Sequence, residues 1–319
     1  MMYWSKQMGS SRYFQLILAA TLLFFSGIQN VQAGMFSLSE QDEIKIGRQA
    51  AAQVEQKVQM LRDPEVQDYV SKLGMELARA SARPNLPWRF RVIQDKRINA
   101  FALPGGFIYI HSKVLGIAGS EAELASVIAH EIGHVEGRHH KARIEKAMRY
   151  QLGLGVLSAI VGRGGGGNAA LIAGRLLAQG QLTKYSRQAE ADADRRGVKL
   201  LYRTGFDPVS MSRFLQNLVK LESGNRDLLA GFFADHPAAR DRVASTRTQA
   251  QALPGKAWRG NSMTFLRISK KLGGQVANGE FSTDKTRGNT GRYEGARIKP
   301  KRNSPLRYEG ARIPPRSTR

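Results

Sequence analysis

Residues 125–135 (ASVIAHEIGHV) set two histidines and a glutamate inside an apolar stretch, and this constrains the fold of the 319-residue chain more than any other feature. In a helix, residues four apart share a face, so His130 and His134 can reach one metal ion. Glu131 lies on the adjacent part of that face, within reach of a water beside the metal. Zinc lowers the pKa of such a water toward about 7, and a carboxylate placed there takes the proton. The apolar flank Ala125-Ser126-Val127-Ile128-Ala129 and the internal Gly133 argue for a buried helix rather than a solvated one.

A catalytic zinc site needs a third protein ligand and an open position, and two residues compete for that place. His140 completes the spacing HExxHxxGxxH with Gly137, the pattern of the metzincins. Glu190, in Glu190-Ala191-Asp192-Ala193-Asp194, would come from a second helix, with Asp194 one turn on to accept a hydrogen bond from a ligating imidazole. The metzincin arrangement needs the helix to break at Gly137, whereas Arg138 to Tyr150 continue as helix formers. It also needs a methionine turn, and neither Met148 nor Met211 stands in one. Both points favour Glu190.

Around this centre the pattern reads as mainly helical with a small sheet. Two helices are expected over 38–82, the first capped by Ser37 with Glu40 and the second opening at Asp63-Pro64. Residues 88–93 alternate as a strand, and a Pro104-Gly105-Gly106 turn joins two more, the last at 106–110. Helices are expected from Glu121 through His140 toward Leu154, over 169–203 and over 207–224, with Asp235-His236-Pro237 in a loop. The run Gly162–Gly167 reads either as a flap over the cleft or as a plain linker. The 106–110 strand is either an edge that takes substrate backbone or an ordinary sheet strand.

The two ends differ from the middle. Lys6 and Arg12 precede an apolar run from Tyr13 to Ile28, and Val31-Gln32-Ala33 supplies small residues for cleavage. Residues 1–33 are therefore expected to be a cleavable signal peptide, with an uncleaved anchor as the alternative, the apolar run being short of the roughly 20 residues a membrane span needs. From Gly273 to Arg319 apolar residues thin out, RYEGARI occurs at 292–298 and again at 307–313, and the composition is that of a disordered, basic tail. The net charge of +23 permits contact with anionic lipid or lipopolysaccharide, and export makes a nucleic-acid role unexpected. The chain has no cysteine, which excludes a disulfide scaffold, thiolate metal ligands and a cysteine nucleophile.

Four stretches in order, NAFALPGGFIYI at 99–110, SVIAHEIGHVEGRHH at 126–140, YSRQAEADADRRG at 185–197 and DHPAARDRV at 235–243, resemble the zinc metallopeptidases related to the CAAX prenyl endopeptidase. The likeness is to their soluble periplasmic bacterial branch, and it covers roughly residues 38–250. It lacks the membrane spans of the prenyl protease and the helical repeats found in part of the branch. The resemblance implies an α+β, mainly helical, gluzincin-like metallopeptidase domain over 34–272. One zinc ion per chain would be held by His130, His134 and Glu190, with Glu131 as general base and Asp194 behind a ligating imidazole. It brings His236 toward the cleft, either stabilising the oxyanion or closing the open zinc position, against a purely structural loop histidine. Arg187 has no assigned role, and His111 and His139 are expected to be structural. The expected activity is periplasmic hydrolysis of misfolded or mislocalised envelope polypeptides. The rival readings are an envelope chaperone with a latent zinc site and a protein tethered to the envelope by its tail.

Overall fold

The computed structural model describes residues 37–152, 174 and 184–274, apart from 223, 225 and 238. The expected signal peptide, the Gly162–Gly167 run and the basic repeats lie outside the described residues. Helix α1 (Glu40–Lys57) starts one residue pair later than its expected cap. Ser39, not Ser37, is the N-cap: its hydroxyl accepts from the Asp42 amide and the Asp42 carboxylate accepts from the Ser39 amide. Ser37 instead takes a hydrogen bond from Lys141. Helix α2 (Pro64–Arg79) opens as expected, with Asp63 accepting from the amides of Glu65 and Val66 and with Pro64 in its first turn.

Three strands follow: β1 (Arg89–Ile93), β2 (Ala100–Leu103) and β3 (Phe107–His111). Their order is β1-β3-β2, with β3 parallel to β1 and antiparallel to β2 across the Pro104-Gly105-Gly106 turn. The central place of β3 overturns its reading as a substrate-binding edge, because both of its sides are already paired. The sheet is covered on both faces, which explains why β3 reads as a continuous apolar run. Phe107 and Tyr109 pack with Ala50, Ala51 and Val54 of α1, while Ile108 and Ile110 join the larger core with α2 and the helix that follows.

After a short helix α3 (Ser112–Ile117), helix α4 (Glu121–Glu136) runs through the centre of the domain. Ser120 caps it, and every residue from Glu121 to Val135 is buried. Ile128 and Ile132 are wholly buried and each contributes about 1.5–3 kcal/mol through removal from water. The expected continuation through His140 does not occur. Gly137 is the C-cap and Arg138 turns left-handed (φ 53°) before α5 (His139–Leu152) begins. One left-handed residue escapes a propensity reading, and here the Arg138 guanidinium holds it, pairing at 2.7 Å with the buried carboxylate of Glu43.

Of the helix expected over 169–203, the described residues show Gly174 helical, an interruption at 184–186 and a helix from Arg187 onward. Helix α6 (Arg187–Thr204) is capped by Ser186, and residues 184–186 are not helical. It lies close against α4, where a Cβ on Gly133 would come within 2.6 Å of the Ala193 carbonyl oxygen. Four helices complete the domain: α7 (Val209–Glu222), α8 (Arg226–Asp235), α9 (Ala239–Gln251) and α10 (Met263–Lys271). No helix among the described residues is long and apolar enough to cross a membrane.

Candidate metal centre

Four donors from two helices and the end of a third converge in the interior. His130 and His134 come from α4, Glu190 from the first turn of α6, and His236 follows α8, its amide donating to the Phe232 carbonyl at 2.7 Å. One donor atom from each lies within 4.8 Å of every other, and all four residues are buried. His130 Nε2 is 3.0 Å from His134 Nε2 and 3.4 Å from His236 Nδ1. Glu190 Oε1 is 3.3 Å from His134 Nε2 and 3.2 Å from His236 Nδ1.

Glu131 stands beside this group. Its Oε1 is 3.5 Å from His236 Nε2, and its Oε2 is buried with no hydrogen-bond partner among the described residues. A buried, orphaned carboxylate oxygen costs free energy unless something it can accept from sits there. Asp194, one turn beyond Glu190, accepts from His130 Nδ1 at 2.9 Å. The Arg242 guanidinium of α9 grips Asp194 with two bonds of 2.7 Å and also pairs with Glu190. Three buried carboxylates thus face one buried guanidinium. That excess of negative charge, with three imidazole nitrogens and a carboxylate converging, fits a divalent cation of the zinc type.

The protonation of the metal-free centre follows from the same contacts. Burial opposes a charge on Glu190, but the His236 and Arg242 charges and the two imidazoles outweigh it and hold its carboxyl well below the usual range. Burial raises Glu131, which His236 and His130 only partly offset. Burial and the Arg242 charge both oppose protonation of His130, yet Asp194 and Glu190 push its pKa up to about 9. Burial drives His134 the other way, well below the ordinary histidine value.

His140 has other partners. Its Nε2 lies 2.9 Å from the Ala102 carbonyl and 2.6 Å from the Tyr185 hydroxyl, outside the group of four. The helix does break at Gly137, against expectation, but the break does not bring His140 to the other donors. Arg187 is exposed at the start of α6, and His111 Nδ1 meets the Arg97 carbonyl at 3.1 Å, away from the centre. His139, expected to be structural, has its Nδ1 2.9 Å from His134 Nδ1. Two contributors went unread: Tyr185, whose ring stacks on His134 at 3.5 Å, and Arg242. Both lie in the quoted stretches, but nothing in their spacing marks them.

A mainly helical domain in which an HExxH helix faces a glutamate on a second helix is the architecture of a gluzincin-like metallopeptidase. The chain belongs to peptidase family M48, whose model matches residues 64–250, more than half of its length. It is 29% identical over 245 residues to the beta-barrel assembly-enhancing protease of Escherichia coli K12, covering 74% of this chain and 50% of that protein. It is 36% identical over 203 residues to the putative beta-barrel assembly-enhancing protease of Vibrio cholerae, covering 61% and 41% respectively. With Metalloprotease LoiP of Escherichia coli K12 it shares 28% identity over 234 residues, covering 72% of this chain and 88% of the relative. The chain thus spans about half the length of the assembly-enhancing proteases it matches.

Proposed function

We propose that the chain is an exported, zinc-dependent endopeptidase that hydrolyses misfolded or mislocalised polypeptides of the cell envelope. The observation that carries this reading is the convergence of His130, His134, Glu190 and His236 beside the orphaned Glu131 carboxylate. His130, His134 and Glu190 would hold one zinc ion. Zinc supplies a Lewis acid that polarises the scissile carbonyl and acidifies the attacking water. Glu131 takes the proton of that water and returns it to the leaving amine nitrogen, and its burial-raised pKa suits it to both tasks. Asp194 fixes His130 by accepting its Nδ1 proton, and Arg242 fixes Asp194. The envelope substrates rest on the leader-like residues 1–33 and on the names of the relatives.

The position of His236 favours a second reading of the resting state. Its Nδ1 stands among the other donors, so it can close the coordination that a substrate carbonyl needs, which is how a latent or chaperone-like protein would look. Zinc content and casein cleavage, measured together on the wild type and Glu131→Gln, test the proposal. One zinc per chain in both, with cleavage only by the wild type, is the expected result. Zinc in both and cleavage in neither points to the closed state, and His236→Ala should then release activity. A wild-type chain that binds no zinc sinks the proposal.

A further inference from the structure

The two α4 histidines are anchored differently. His130 hands its Nδ1 proton directly to Asp194. For His134 no carboxylate is in that position among the described residues. A metal held at His134 Nε2 leaves the proton on Nδ1, and the partner of that N–H is His139 Nδ1, at 2.9 Å. His139 must then accept at Nδ1 and carry its own proton on Nε2, which lies 3.2 Å from Asp192 Oδ2. Asp192 is fixed in turn by Arg196 Nε at 2.6 Å and by Arg195. Each nitrogen in the series has one partner and one direction of donation.

The backbone is bent to make this possible. In an unbroken helix residue i+5 lies about 140° around the axis from residue i, so His139 would face away from His134. The Gly137 cap and the left-handed Arg138 swing it back, and the two rings meet edge to face at 5.1 Å. Gly137 also leaves room for the relay, since a Cβ there would lie 2.4 Å from His139 Nε2 and 2.9 Å from Asp192 Oδ2.

We propose that His139 is a positioning residue of the metal centre: with Asp192 it forms a histidine–aspartate relay that orients His134 and raises its strength as a ligand. The proposal rests on the zinc reading above. Its test is zinc affinity by chelator competition on wild type, His139→Ala and His139→Asn, with circular dichroism to follow the fold. The asparagine amide oxygen stands where Nδ1 stood and can still accept from His134. His139→Ala should bind zinc about 10–100-fold more weakly, and His139→Asn should recover most of that loss. In turnover of a peptide substrate, kcat should fall for His139→Ala while KM holds. His139→Ala binding zinc as tightly as wild type, or His139→Asn as weakly as His139→Ala, overturns the relay alone. A wild-type chain without zinc affinity overturns the metal centre and the relay together.

Discussion

At the scale of single residues, protons balance part of the buried negative charge of the candidate centre. His130 titrates near 9 in the metal-free fold, so it is charged at pH 7.5 and must lose that proton to become a ligand. Zinc binding at pH 7.5 should therefore release protons, and the release should fade as pH rises through 9. Calorimetry in two buffers of different ionisation enthalpy measures it, and an uptake of protons would contradict the account. Arg242 is the other half of the balance. Arg242→Met should destabilise the metal-free chain by about 3–5 kcal/mol, because it strands Asp194 and Glu190 in the interior. Zinc should narrow the gap, as read from urea unfolding with and without the metal. His130, His134 and Glu190 were legible as candidate donors because the HExxH spacing and the Glu190–Asp194 turn carry their own geometry, whereas His236 came from the resemblance alone. Arg242, Tyr185 and His139 were not legible, since a lone arginine on a polar helix, an aromatic before a cap and a second histidine after a turn carry no spacing rule.

At the scale of elements, the contact between α4 and α6 sets the reach of Glu190 toward the two histidines. Gly133 permits it, and Gly133→Ala should push the helices apart at the Ala193 carbonyl. About 1–3 kcal/mol of stability should be lost through overpacking, together with most of the zinc affinity. Thermal unfolding of the metal-free variant and chelator competition read the two effects separately, and unchanged values in both would show that the helices can yield. The pattern-based reading found α1, α2, the three strands and α4, whose apolar positions or caps are strong. It assigned no helix to 239–251, and α9 shows why. Its buried residues Ala239, Arg242, Thr246 and Ala250 recur at helical spacing, but two are polar and two are small, so hydrophobic periodicity passes over them. The break after α4 was missed for a related reason, because one residue with positive φ leaves the composition unchanged.

At the scale of the whole molecule, charge separates two parts of the chain. Residues 285–319 hold eleven lysines or arginines against two glutamates, a net of 11 − 2 = +9. A chain ending at Leu272 should lose binding to anionic vesicles at low salt, while the full chain should lose it only as salt is raised. Equal vesicle binding by the two at low salt would remove the tail from that role. The metal centre joins the molecule in another way. Its donors come from α4, α6 and the end of α8, so a bound ion clips together stretches of chain that are distant in sequence, and stabilises the fold in proportion to ln[metal] above its dissociation constant. For a protease this links turnover to activity. On the proposed function, the loaded enzyme would be armed and resistant to digestion by its own copies. The chain that has shed its ion would be the looser one, open to attack but unable to attack. Metal supply would thereby govern how long each copy survives as well as how fast it works.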